Sequence, residues 1–131
     1  MKRVITIEAP EEFAFIHQGF IIGGGRQQTK TMSVLRLEAK ILDRLDSISE
    51  PILSKNAEGK EVNDLYPSGD PARKFKEGEL VLEPAEHELL AKYFDDVPWS
   101  VRVAREIVTL SDKIRNAEER PDLMLVLKKE S

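Results

Sequence analysis

Between Met32 and Ser49 the apolar residues fall into a single stripe. Val34, Ile41 and Ile48 recur at intervals of seven, with Leu35, Leu42 and Leu45 beside them. That period belongs to an α-helix with one face in a core. Thr31 or Ser33 supplies a hydroxyl to accept a free N–H at its start, and Pro51 ends it. The opposite face carries Arg36, Lys40, Asp43, Arg44 and Asp46, the pattern of a solvated surface. A helix built this way needs a second apolar layer, so the rest of the chain is read for what covers it.

With 131 residues the chain is sized for one domain, and 40% hydrophobic residues suffice for a core beneath a 34% charged surface. The net charge of −4, from 20 Lys and Arg against 24 Asp and Glu, argues against general nucleic-acid binding, which works by a basic face releasing counterions. With no cysteine, disulfides, thiolate metal sites and Cys nucleophiles are excluded. Stability then rests on packing, as suits a cytoplasmic protein. The opening "MKRVITIEAPEEF" has only a short apolar run and is not the pattern of a signal peptide. No stretch reaches the 18 or so apolar residues of a membrane span.

Residues 3–8, "RVITIE", are rich in β-branched side chains and predict a strand. In "EFAFIHQGFII" Phe13, Phe15 and His17 alternate with Ala14, Ile16 and Gln18, whereas Pro10, Glu11 and Glu12 resemble a first helical turn. Residues 10–18 are open between helix and strand, and a strand is expected from about Gln18 to Ile22. Residues 51–79 are polar and rich in turns. Asn56–Gly59 reads as a hairpin loop, "PSGDP" as a second turn and "KFKEGE" as a third. Pro84 suits the first position of a helix, followed by Glu86 and Glu88 at its positive end. A second helix, capped by Asp96 or Ser100, is expected to run to about Glu119 with Val101, Ala104, Ile107, Val108 and Ile114 inward. The short "DDVPWS" link folds the two back as an αα-hairpin with Trp99 in its corner, and "PDLMLVLKK" after Pro121 reads as a closing strand.

The fold class expected is therefore α+β. It comprises a small sheet formed by the N-terminal and C-terminal strands, one central amphipathic helix, a polar β-hairpin arm and a C-terminal αα-hairpin. All belong to a single domain, 1–131, with the hairpin and loop as an excursion at about 51–79.

Residues 24–31, Gly-Gly-Arg-Gln-Gln-Thr-Lys-Thr, come nearest to a chemical motif. A phosphate-binding loop reads G-x-x-x-x-G-K-[ST] between a strand and a helix. Gly24, Lys30 and Thr31 match it, but Thr29 stands where the loop needs a residue without a side chain. A glycine turn leading to a helix cap is the simpler reading. Glu83, His87 and Glu88 invite a metal, yet catalytic zinc usually takes three protein ligands, commonly two or more of them histidines, and of His17 and His87 neither has a second His at helical spacing. Asp95 and Asp96 with Glu86 are carboxylates that could pair for acid–base work, but Asp95-Asp96 falls at a helix junction, where capping explains it without chemistry. Arg102, Arg105, Lys113 and Arg115 are interrupted by Glu106, Asp112, Glu118 and Glu119, unlike the cleaner face of a DNA-reading helix.

The run "LVLEPAEHELLAKYFDDVPWSVRVAREIVTLSDKI", residues 80–114, with its acidic helix, "VPW" corner and "ARE-V" helix, resembles small bacteriophage-encoded accessory proteins. That resemblance implies a role in virion assembly or in binding a host complex, and carries no functional residues with it. The function expected is a non-enzymatic interaction or assembly protein, without metal or cofactor. Its partner is another protein or further copies of itself, not nucleic acid or membrane, in the cytoplasm or within a virion. Arg26, Lys30, Tyr66, Arg73 and Phe75 are the expected contacts, because a long polar arm costs conformational entropy to order and partner binding usually offsets that cost. The alternatives are a nucleotide- or phosphate-binding enzyme using Gly24, Lys30 and Thr31, and a DNA-binding regulator.

Overall fold

The computed structural model describes residues 1–25 and 29–121. In chain order the elements are β1 (Lys2–Thr6), α1 (Pro10–Gly24), α2 (Met32–Ser47), β2 (Ser49–Pro51), β3 (Leu53–Lys55), β4 (Glu61–Asn63), β5 (Arg73–Phe75), β6 (Glu79–Leu82), α3 (Pro84–Asp96), α4 (Ala104–Arg115) and β7 (Glu118–Arg120), with a 3-10 turn at Val101–Val103. The class is α+β. The β-branched start of the chain forms the middle of an antiparallel sheet ordered β6-β1-β7. Ile5 lies opposite Leu80, and Arg3 opposite Leu82. Period-two alternation puts Ile5, Leu80 and Leu82, all fully buried, on the face the helices cover.

The segment 10–18 is helical, and the strand expected at about Gln18–Ile22 is the second half of the same helix. Pro10 occupies its first turn with Glu11 and Glu12 behind it. Phe13, Ile16, His17 and Phe20, spaced by three and four, are its buried side. Phe15, Ile21 and Ile22 are half-buried around the remainder. Such all-round apolarity mimics an inward-facing strand, and length decides the matter, because an apolar run of this extent outgrows a strand.

The glycines at the end of α1 are packing residues. A Cβ at Gly19 would come within 2.8 Å of the Phe94 ring, and one at Gly23 would overlap the Tyr93 carbonyl, 2.7 Å from its carbon. Spaced by four, they form one notch into which α3 settles. At Gly23 the backbone of α1 lies against the Tyr93 backbone of α3, and at Gly19 it lies against the Phe94 ring, approaches that a side chain at either glycine would forbid.

The remaining helix ends follow their caps. Thr31 accepts from the Val34 N–H. Pro84 opens α3, whose capping box joins Glu83 and Glu86. Glu86 is 1% exposed and is matched by Arg44 of α2, which donates through Nε and Nη2 to its two oxygens. Trp99 packs in the expected corner, edge-on to Phe15 and against Phe94, its Nε1–H donating to the Phe94 carbonyl.

The last helix is shorter than its sequence suggests. Ser100 caps the 3-10 turn, accepting from Arg102 N–H, while Asp96 closes α3. α4 ends at Arg115, and Glu118–Arg120 pairs with β1 instead. Ile107, Leu110 and Ile114 form its buried stripe. Val108, about 100° round the helix from Ile107, faces outward, and Val101 lies before the helix with 87% of its surface exposed. The closing strand expected after Pro121 lies outside the described residues.

Gly23→Ala is expected to cost about 1–3 kcal/mol by overpacking, a fall in Tm of about 5–10 °C in a domain of this size. Gly25→Ala is expected to change little, since Gly25 has φ −72° and the nearest atom to an added Cβ is 3.3 Å away. Thermal melts of the two variants check this, and equal losses would refute the helix-notch account.

Candidate interaction site

The excursion at 51–79 is an ordered arm. β2 leaves α2 and pairs with β5, and the strand continues as β3 paired with β4. At the tip, Asn56 Oδ1 accepts from the N–H groups of Glu58 and Lys60, and Gly59 supplies the positive φ the turn requires. Every residue of β3 and β4 is exposed, including Leu53 and Val62, and Leu65 beyond them is open too. An isolated two-stranded ribbon is marginal in water, so the arm's order comes from its root.

Three chain segments interlock there. Ile52 N–H donates to Ala72 C=O, Ala72 N–H to Asp64 C=O, and Asp64 N–H to Ile52 C=O. The Asn63 side-chain Nδ2 lies within 2.8–3.1 Å of all three carbonyl oxygens. Below this ring, Tyr66 is buried. Its hydroxyl accepts from Arg73 N–H, donates to Arg73 C=O, and lies 2.7 Å from His17 Nδ1 of α1. The tautomer with hydrogen on Nδ1 satisfies every partner in the set. Arg73 reaches back to α2 and β2, with Nε on Ser49 Oγ at 2.8 Å, Nη2 on Ser49 C=O at 3.0 Å, and an ion pair to Asp46 at 3.2 Å. Phe75 packs on Phe13. Tyr66, Arg73 and Phe75 are thus brought together as the arm's anchor, with their polar groups satisfied inside the chain.

His17 completes that anchor, and sequence reading left it without a role. It is 3% exposed, stacked on Phe13. Burial lowers its pKa to about 4, an effect Arg73 adds to and Asp46 and Asp70 oppose. Its spacing of four from Phe13 was the available signal. Asn63 carried no signal, since its role depends on three segments meeting.

The glycine–lysine motif opens on a second feature. Phe20, Ile21, Leu35 and Leu42, with Gly24, Gly25, Thr29, Lys30 and Glu38, line a cleft of about 620 Å³ between α1 and α2. The strand a phosphate loop requires before its glycines is here a helix, and Gly24 is inside it against Tyr93. Lys30 pairs with Glu38 and lies 5.3 Å over the Tyr93 ring, whose hydroxyl also donates to Glu38 at 2.7 Å. Burial, then that carboxylate, pushes the Tyr93 phenol well above its ordinary pKa. Thr31 Oγ1 is engaged in the helix cap. Arg26 lies outside the described residues.

Residues weighed for other chemistry are dispersed. His87 Nε2–H donates to Ile114 C=O at 2.6 Å, and Glu83 pairs with Lys2. Glu86 and Asp95 are about 13 Å apart along α3, and Asp95 holds Ser111 and Arg115. Lys113 binds Glu12. Among the described residues no three His, Asp or Glu side chains converge as a metal site would, and no helix is long and apolar enough to cross a membrane. Comparison with protein-family models, with curated proteins and with solved structures finds no match for the chain.

His17 sets a pH dependence of known sign. The unfolded ring takes up a proton near pH 6.5 and the folded one only near 4. Stability from this group is therefore full above pH 6.5 and is lost as pH falls from 6.5 towards 4. That gap corresponds to about 3 kcal/mol. His17→Gln, which can still donate to Tyr66 but does not titrate, is expected to flatten this part of the profile. Denaturant unfolding of both proteins across the window checks it, and parallel profiles would remove His17 from the account.

Proposed function

We propose that this protein is a non-enzymatic binding or assembly protein whose hairpin arm, residues 52–72, contacts another protein. The observation that carries this reading is the contrast between the arm's two ends. The root is fixed by the Ile52–Asp64–Ala72 ring, Asn63 and the His17–Tyr66–Arg73 set. Beyond that ring the hairpin strands expose Leu53 and Val62 with no core behind them, and Leu65 is exposed beside the root, between Asp64 and Tyr66. Side chains of that kind, on a rigid projection, lower the conformational cost of recognition. The mixed charges near the tip, Lys55, Glu58, Lys60 and Glu61, suit a protein surface better than a polyanion.

A phage accessory role, in virion assembly or in binding a host complex, is the setting the 80–114 resemblance favours. The phosphate-binding alternative has less support, because the Lys30 ammonium is already matched by Glu38 within the cleft. So does DNA reading, since Lys113 and Arg115 are committed to Glu12 and Asp95.

Tip variants test the reading. Leu53→Asp and Val62→Asp together are expected to leave the melting temperature nearly unchanged, as exposed substitutions usually do. The same variant should lose a protein that the wild-type chain captures from its native host. If wild type and variant retain the same proteins, the arm is not the contact. A melting temperature raised by ATP or GTP with Mg²⁺, and restored to baseline by Lys30→Ala, would move the function to the cleft.

A further inference from the structure

The arm is tied to the body by few contacts, and they can part without disturbing the core. The apolar core takes members as far as Ile48 and resumes at Leu80, with Phe75 partly buried against it. Of residues 52–72 only Tyr66 and Ala72 are buried. The three-segment ring, the Ser54–Asp64 bond and the Leu65–Pro71 bridge join the arm to itself. Its main tie to α1 is the Tyr66 ring, which lies edge-on to His17 at 5.4 Å with its hydroxyl 2.7 Å from Nδ1. A segment with so little buried surface opens at a lower free energy than the whole domain.

His17 makes that opening respond to acid. Under Tyr66, stacked on Phe13 and 3% exposed, a charged imidazole is poorly solvated. The charged groups that act on it are Asp46 of α2, Arg73 of β5 and Asp70 of the turn before β5. Arg73 disfavours its protonation, the two carboxylates favour it, and burial outweighs them. Tyr66 offers no relief. Its hydroxyl hydrogen goes to Arg73 C=O, and its lone pairs already take His17 Nδ1–H and Arg73 N–H. An added proton therefore goes to Nε2 and finds no acceptor in the anchor. Lifting the arm lets water reach the imidazole and removes the penalty. His87, the other histidine, bonds Ile114 between α3 and α4, away from the arm root.

We propose that acid unlatches the arm: protonation of His17 frees Tyr66 and lets residues 52–72 open as a unit, while the helices and the β6-β1-β7 sheet stay folded. This release goes beyond the contact assigned to the arm and requires no partner.

Amide hydrogen exchange at pH 7 and pH 5, corrected for the intrinsic pH dependence of exchange, tests it. The readout compares the Asp64 and Ala72 amides of the root ring with the Leu90 and Phe94 amides of α3. An imidazole that titrates near 4 under the closed arm and near 6.5 under the open one raises the open fraction about twentyfold over that interval. Protection of the arm amides is expected to fall by that factor, and to stay below that of α3 at both pH values. In His17→Gln the arm amides should be protected almost equally at the two pH values. Tyr66→Phe, which keeps the ring without the hydroxyl, should lower arm protection about tenfold or more at pH 7. Equal protection of arm and α3 amides means that the arm opens only with the whole domain, and overturns the inference. So does a wild-type arm indifferent to pH, and so does a His17→Gln arm that loses as much protection in acid as wild type. A Tyr66→Phe arm as well protected as wild type overturns it equally, and decides the matter if His17→Gln fails to fold. None of these outcomes involves a partner, so the tip variants test the contact separately.

Discussion

The close crossing of α1 and α3 is the constraint on which the other packing depends. Gly19 and Gly23 remove side chains where α3 passes, so Phe94 and the Tyr93 backbone lie directly against α1. With that spacing fixed, Phe20 packs at a tilt against Tyr93, Phe94 meets Trp99, and Phe15 closes the corner edge-on. A larger residue at either glycine would lift α3 from α1 and shift the start of α4 with it. The seat of Tyr93 also governs the cleft, because its hydroxyl holds Glu38 and Glu38 holds Lys30.

Polar groups carry the connections that packing alone leaves loose. Glu86 is a buried carboxylate that serves two elements, completing the cap of α3 and receiving Arg44 of α2. An ion pair in such a place adds less to net stability than to specifying a single arrangement, since desolvation offsets much of the attraction. Here it fixes the rotation of α2 about its axis. That rotation sends Ile41 and Leu45 into the core and leaves Leu35 and Leu42 outside. The arm root works on the same principle. Its three-segment ring leaves no N–H or C=O of Ile52, Asp64 or Ala72 without a partner at the ring, and the Asn63 amide lies against all three acceptors.

The parts legible in sequence were those governed by local chemistry. The β-branched first strand, Thr31 as a cap, Pro84 at the head of α3, the Asn56–Gly59 turn and the Trp99 corner all follow from neighbours within a few residues. The errors arose where distant contacts decide. Gln18–Ile22 has strand-like composition, but Gly19 and Gly23 have meaning only in the presence of α3. Glu118–Arg120 has the charge of a helix end, but the open edge of β1 draws it into the sheet. The single stripe read on α2 merged two, because Leu35 and Leu42 adjoin Val34 and Ile41 in sequence while diverging by about 100° around the helix. Tyr66, Arg73 and Phe75 were expected, with Arg26 and Lys30, as contacts to a partner. Their place at the root, not the tip, depends on His17, a long-range partner that no local pattern reveals.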